Sequence, residues 1–184
     1  MYKWNYFYGA IMLNEFYYSN PPRNLDDVFS FIQEKMIDKN YQYFHPKIFS
    51  VGSMEKPFFY DNILISFSRT GKWFFDETSE LNDFIMEFED ILTNLDFNTA
   101  QVKISSPLFD YTLFWCNRQR LDSFDLEHTL KYFHDYKTRF YESSKFYFGF
   151  GEINLNTGWC VNKYDEKLLE NFDFQFPDFE YKTN

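Results

Sequence analysis

The chain has few basic residues, few cysteines and no long apolar run. Of its 184 residues, 18 are Lys or Arg and 28 are Asp or Glu, so the formal net charge is −10. Binding to nucleic-acid phosphates or to an anionic membrane surface needs clustered Lys and Arg, so this balance argues against both partners. No apolar stretch approaches the roughly 18 residues that a membrane-spanning helix needs.

Cysteine and histidine are too sparse and too scattered to form a recognisable reactive site. Cys116 and Cys160 belong to no CxxC motif and to no Cys/His cluster, which predicts two unpaired, buried thiols and no metal or cofactor. His134 and Asp135 are adjacent on a predicted helix, so they point about 100° apart and cannot act as base and orienting acid. No catalytic residue is assigned, and we expect a binding protein rather than an enzyme. The start of the chain lacks a secretory pattern, which favours the cytoplasm.

Aromatic residues are abundant. The 26 Phe, 15 Tyr and 4 Trp make up 24% of the chain. A chain of this length can bury about 70% of the surface that it exposes when unfolded. We therefore predict one globular domain over residues 1–184, with an unusually aromatic core.

The stretch Phe74–Asn98 is the most distinctive part of the sequence. It contains eight carboxylates and no Lys, Arg or His. Its apolar residues recur every three or four positions, which predicts an amphipathic helix that begins at Thr78 or Ser79. The side chains predicted to be buried include Leu81, Phe84, Phe88 and Leu92, and those predicted to be exposed are Glu80, Asp83, Glu87 and Asp90.

The carboxylates of this helix have two interpretations. Like charges three or four positions apart each cost about 0.2–0.5 kcal/mol, so an uninterrupted acidic row is unfavourable for the helix alone. It is either the solvated face of an acidic protein or a docking surface for a basic protein. Under the second interpretation, the predicted partner-binding residues are Asp76, Glu77, Glu80, Asp83, Glu87 and Asp90.

The remaining pattern predicts an α+β fold, with about four helices packed on a mainly antiparallel sheet. Strands are predicted at 4–13, 47–51, 62–68, 73–75, 100–105, 111–116, 145–155 and 159–161. Helices are predicted at 24–38, within 74–98, at 122–142 and at 165–172. The turns at 69–72 and 156–158 would make each flanking pair of strands a hairpin.

These elements suggest an internal duplication. A hairpin, a Thr-Gly pair, a Trp and a helix follow one another in Ile63–Phe88 and again in Gly149–Phe172. The chain would then be two strand–helix–hairpin–helix units, roughly 1–97 and 98–184. This order resembles the tandem modules of the GyrI-like small-molecule-binding family. The resemblance implies a module that holds apolar cations against aromatic rings and a buried carboxylate.

Three functions are compatible with these features. The favoured hypothesis is an inhibitor of the immunity or antitoxin type, which would cover the active site of a basic toxin, best a nuclease, with carboxylates and aromatic anchors. One alternative is the small-molecule-binding module for apolar cations. The other is a phage-type nucleic-acid mimic that blocks a defence enzyme.

Overall fold

A seven-stranded antiparallel sheet is the main element of the structure, a computed structural model. The described residues are 4–13, 25–51, 64–72, 74–75, 80–106, 110–118, 139–150, 153–154 and 160–161. The strands of the sheet are β1 (Asn5–Leu13), β2 (Phe49–Val51), β3 (Leu64–Gly71), β4 (Phe97–Ser105), β5 (Asp110–Asn117), β6 (Arg139–Glu142) and β7 (Phe146–Phe150). Their spatial order is β2-β3-β1-β4-β5-β7-β6. The short strands β8 (Ile153–Asn154) and β9 (Cys160–Val161) pair with each other.

Two helices and a short 3-10 turn complete the described part of the chain. The first helix, α1, consists of an α-helical piece Leu25–Ser30, a π-helical piece Phe31–Lys35 and an α-helical piece Met36–Lys39. It ends at Asn40, whose left-handed backbone (φ 51°, ψ 44°) is a conformation that Asn tolerates at a helix terminus. The second helix, α2, spans Glu80–Thr93, and the 3-10 turn spans Pro46–Ile48.

The core lies between these helices and one face of the sheet, which we call the helix-side face. Side chains alternate between the two faces of a strand, and the register places Phe7, Ile11, Ile65, Phe67, Val102, Ile104, Leu113, Trp115, Phe148 and Phe150 on the helix-side face. All of them are buried. Phe84 and Phe88 of α2 pack on this layer, and the ring centroids of Phe84 and Phe7 are 5.1 Å apart. As predicted, Leu81 and Leu92 are buried beside them.

The prediction of about four packed helices is wrong, because the described residues contain only α1, α2 and the 3-10 turn. Residues 139–142, the predicted end of a third helix, form strand β6 instead. They pair with β7, from Arg139 opposite Phe150 to Glu142 opposite Tyr147. This pairing gives β7 a hydrogen-bonded neighbour on each side, which outweighs the helical pattern of the sequence. Residues 119–138 and the predicted helix at 165–172 lie outside the described residues.

The predicted first hairpin is also wrong. Strand β3 pairs with β1 on one side and with β2 on the other, and the described residues 74–75 form a bend. Phe75 has a positive φ of 64°, which is unfavourable for a bulky residue. Its fully buried ring stacks on Tyr43 at a centroid distance of 5.5 Å. Packing in the core, rather than pairing with a strand, therefore fixes the conformation of Phe75.

Without this hairpin, the repeated order of elements that suggested an internal duplication is not found among the described residues of the first half. The resemblance to the GyrI-like modules rested on the same order of elements. In the second half, the predicted continuous strand at 145–155 is divided into β7 and β8. Among the residues that the structure describes here, β8 rather than β7 pairs with the predicted return strand, β9. The assignment of residues 1–184 to a single domain stays a prediction.

Gly9 tests how tightly the sheet and core pack. A Cβ atom at this position would collide with the carbonyl oxygen of Gln101 and lie 2.8 Å from Cζ of Phe67. We expect Gly9→Ala to lower the free energy of unfolding by about 1–3 kcal/mol, because neither neighbour can move freely. Urea denaturation measures the loss. Ala10→Ser, at the next and half-buried position, is the control and should change stability by less than about 0.5 kcal/mol.

Candidate functional site

The carboxylates of α2 have very different surroundings. The buried side chains of α2 that face the core include Leu81, Phe84 and Phe88. Most charged side chains of the helix therefore point away from the core or lie along its two edges. Asp83 is exposed, whereas Glu80, Glu87 and Asp90 are half-buried. Glu89 is buried. Asp76 and Glu77, the other two predicted partner-binding residues, lie outside the described residues.

Glu87 holds the loop that follows α1. Its two carboxylate oxygens accept hydrogen bonds from the backbone N–H groups of Gln42 (2.7 Å) and Tyr43 (2.9 Å). Burial raises the pKa of Glu87, and the backbone donors oppose that shift because they stabilise the ionised form. This carboxylate therefore has a structural role that the periodicity of the helix did not indicate.

Arg69 of β3 binds the backbone carbonyl groups of the same loop. Its guanidinium Nη1 donates to the carbonyl oxygens of Gln42 (2.5 Å) and Tyr43 (2.8 Å). Residues 40–45, which we call the clamped loop, are thus held by Glu87 through N–H groups and by Arg69 through C=O groups. The clamp positions the buried ring of Tyr43, which packs on Phe75 and Phe84.

Asp90 joins the two helices. Its Oδ2 atom accepts hydrogen bonds from Nζ of Lys39 (3.0 Å) and from the hydroxyl of Tyr41 (2.5 Å). Burial alone would raise the pKa of Asp90, but these two donors and the charge of Lys39 lower it below its usual range. Burial and the nearby carboxylates Asp90 and Glu87 raise the pKa of Tyr41, which stays a neutral donor.

Glu89 points into the core and does not belong to the surface row. Its Oε1 atom accepts a hydrogen bond from Nε1 of Trp115 at 3.0 Å. The Trp115 ring in turn packs edge-on against Phe88, with centroids 4.7 Å apart. This bond satisfies an indole N–H that would otherwise be buried without an acceptor.

The remaining acids of the row lie nearer the start of α2. Glu80 is within 3.5 Å of the Tyr43 hydroxyl, which is a long hydrogen bond, and Asp83 is exposed. Of the four predicted row residues, Asp90 has an ion pair with a lysine, Glu87 is bound by backbone amides, and Asp83 retains the exposure expected of a docking residue.

Further exposed carboxylates lie on α1, where the sequence analysis did not place a site. They are Asp26, Asp27, Glu34 and Asp38. Both helices pack on the same face of the sheet and meet at the Lys39–Asp90 ion pair. Apart from the buried Glu89, α1 and α2 together carry eight carboxylates against two lysines. We call this acidic side of the molecule the helix layer. The acidic turns of α1 were visible in the sequence, but only the fold places them beside α2.

Cys116 does not contribute a reactive group. Its thiol is free and fully buried, as predicted, and burial raises its pKa. A thiol in that environment stays protonated and is a poor nucleophile. The side chain of Cys160 lies outside the described residues. In the same described part of the chain, no three His, Cys, Asp or Glu side chains are grouped so that they could hold a metal ion.

No protein-family model, curated protein or solved structure matches the chain. Within the residues that the structure describes, neither helix is long and apolar enough to cross a membrane. The function is therefore inferred from burial, contacts and charge.

Glu87 and Asp83 allow a matched test of the clamped loop. We expect Glu87→Ala to lower the free energy of unfolding by about 1–3 kcal/mol, because the buried Tyr43 loses the acceptor of its N–H group. Asp83→Ala removes one carboxylate from the same helix but no such bond, so stability should stay equal or rise by a few tenths of a kcal/mol. Urea denaturation compares the two variants. Equal effects would show that Glu87 does not hold the loop.

Asp90 should make stability depend on pH. Its folded pKa is lowered, so its contribution is complete above the ordinary value of about 4 and is lost as the pH falls through the folded pKa. Because Asp90 is partly exposed, we expect Asp90→Asn to cost only about 0.2–1 kcal/mol at neutral pH. Urea unfolding from about pH 7 to about pH 3 should show the two proteins converging at the acidic end. A difference that is constant over this range would contradict the ionic role.

Proposed function

We propose that this protein is an acidic inhibitor of the immunity or antitoxin type. It acts in the cytoplasm by binding a basic toxin and covering the toxin's active site. The toxin class that we favour is a nuclease. The observation that carries the proposal is the concentration of eight carboxylates outside the core, against two lysines, in α1 and α2.

The placement of these charges supports recognition of a cationic partner. Asp83 of α2 and Glu34 and Asp38 of α1 are exposed on the helix layer. A nuclease active site is lined by cationic groups that bind phosphate, and carboxylates can occupy the positions of the phosphates. A strongly charged surface also raises the rate of encounter with an oppositely charged partner.

The internal contacts of Glu87 and Asp90 change the role that each has in this proposal. They do not face a partner freely, because one holds the clamped loop and the other holds Lys39 and Tyr41. Their part is to fix the relative position of α1, the clamped loop and α2. A surface fixed in advance loses less entropy when a partner binds. Asp83 and the acids of α1 are then the direct contacts.

The partner can be identified by affinity capture with the full chain from cells of the source organism at low salt. The expected partner has a basic surface and a nuclease activity that one equivalent of the full chain abolishes. Capture of a basic protein whose activity is unaffected would contradict inhibition. Repeated capture of acidic proteins, or of none, would contradict the proposed partner class.

Paired substitutions test where that partner binds. We expect Asp38→Asn with Asp83→Asn to slow association about three- to tenfold at low salt and to flatten its salt dependence, because long-range attraction is lost. Asp110→Asn with Glu142→Gln is the matched control. It also removes two exposed carboxylates, but from strands β5 and β6.

Stopped-flow kinetics with the captured partner measures both variants. The control should retain most of the wild-type association rate, because its charges lie outside the helix layer. An equal slowing by both pairs would show that only the total charge matters. Unchanged rates in both would show that the helix layer is a solvated surface.

A further inference from the structure

The second face of the sheet, which points away from the helices, is covered over only part of its width. On strands β5 and β7, its residues Phe114, Cys116 and Tyr147 are buried. On strands β1, β3 and β4 the same face carries exposed or half-buried side chains, apart from the buried Thr99. We call this part the open face, and its residues are Tyr6, Tyr8, Ala10, Met12, Leu64, Ser66, Ser68, Thr70, Gln101, Lys103 and Ser105.

Aromatic rings form the centre of the open face. Tyr6 and Tyr8 on β1 are 38% and 53% exposed, and Trp4 just before them is 57% exposed. The two tyrosine rings are nearly parallel, with an interplanar angle of 12° and centroids 6.3 Å apart. Leu64 on β3 adds a further side chain that is 46% exposed. Large rings with few rotatable bonds are the side chains that contribute most to protein interfaces.

Apart from Lys103, the polar groups around these rings are hydroxyls and one amide. Ser68 and Thr70 lie opposite Tyr8 and Tyr6 on β3, and Ser105 lies opposite Tyr6 on β4. Each of these groups, like the tyrosine hydroxyl and the Gln101 amide, can both donate and accept a hydrogen bond. Such a surface can pair with an identical copy of itself, which a two-fold symmetric interface requires.

The open face also differs in charge from the rest of this acidic protein. Its one lysine, Lys103, forms an ion pair with Asp110 at the rim. Lys72 lies at the end of β3 with its ammonium 5.0 Å from the centre of the Trp4 ring. Among the described residues, the strands β1, β3 and β4 carry no carboxylate on this face. Two copies can therefore approach through it without like charges meeting.

We propose that the open face is a self-association surface, through which two copies of this chain form a symmetric dimer. Paired sheets lie about 10 Å apart, and each helix layer lies about 10 Å further out. The acidic layers would thus be about 30 Å apart, more than three times the screening length of about 8 Å at physiological salt. Association through the helix layers would instead bring the carboxylates together. The dimer leaves both helix layers accessible, so it is independent of the proposed function.

The size of the open face indicates a weak dimer. Three strands of about eight residues cover a footprint of roughly 14 by 26 Å, an area of about 360 Å². This is smaller than the roughly 800 Å² that each partner buries in a standard stable interface. We therefore expect a reversible monomer–dimer equilibrium in the micromolar range.

Sedimentation velocity of the full chain from about 2 to about 200 µM tests the dimer. The weight-average mass should rise from that of one chain towards that of two. Added salt should strengthen this association, because it screens the repulsion between two chains of net charge −10. Binding of a basic partner to the helix layer should weaken with salt. The two interactions are therefore distinguished by the sign of the salt effect, and either can fail without the other.

Three lysine substitutions locate the interface. Tyr8→Lys and Ser68→Lys each place a cation on the open face of both copies, and we expect each to weaken dimerisation by about tenfold or more. Ile37→Lys makes the same charge change at a 60% exposed residue of α1 and should leave the dimer unchanged. Circular dichroism confirms that each variant is folded, and Ser68→Lys keeps the aromatic rings should Tyr8→Lys unfold.

Several results would overturn the proposal. A wild-type chain that stays monomeric up to about 200 µM has no dimer in the expected range. A dimer that Ile37→Lys disrupts, or that both open-face variants leave intact, is formed by another surface. Dissociation by salt would show that charge, rather than the neutral open face, holds the two copies together.

Discussion

Burial of aromatic side chains on one face of the sheet is the constraint on which the rest of the structure depends. Phe84 and Phe88 of α2 pack on Phe7, Trp115 and their neighbours on the helix-side face. Because this apolar side of α2 must face the sheet, the carboxylates of the helix other than Glu89 are directed outward or to the flanks. Glu89 is placed inside, and its bond to the Trp115 indole satisfies a polar group of the core.

The acidic residues of α2 have two kinds of role. Glu87 and Asp90 stabilise the native fold, because they bind the amides of the clamped loop and the side chains of Lys39 and Tyr41. Arg69 completes this arrangement from the sheet by binding the carbonyl groups of the loop. Asp83 has the second kind of role, because its carboxylate is exposed at the surface. An acidic row can therefore stabilise the fold through internal contacts while one of its residues stays exposed.

The two sides of the molecule differ in chemistry. The helix layer is strongly acidic, and the open face carries aromatic rings and hydroxyl groups with almost no net charge. We propose the first as the surface for a cationic partner and the second as the surface for a second copy of the chain. Since the sheet separates them, one surface can be occupied while the other remains accessible.

The sequence by itself determined the local periodicities: the buried stripe of α2, the alternation along β1 and β3, and the burial of Cys116. Only the tertiary structure decided that 139–142 pairs with β7, that Phe75 turns into the core, and that Glu87 binds amides 44 and 45 positions away. Periodicity reports which side of an element is apolar. It does not report which distant backbone groups need a hydrogen-bond partner. The need to satisfy those groups made 139–142 a strand and placed the Glu87 carboxylate on backbone amides.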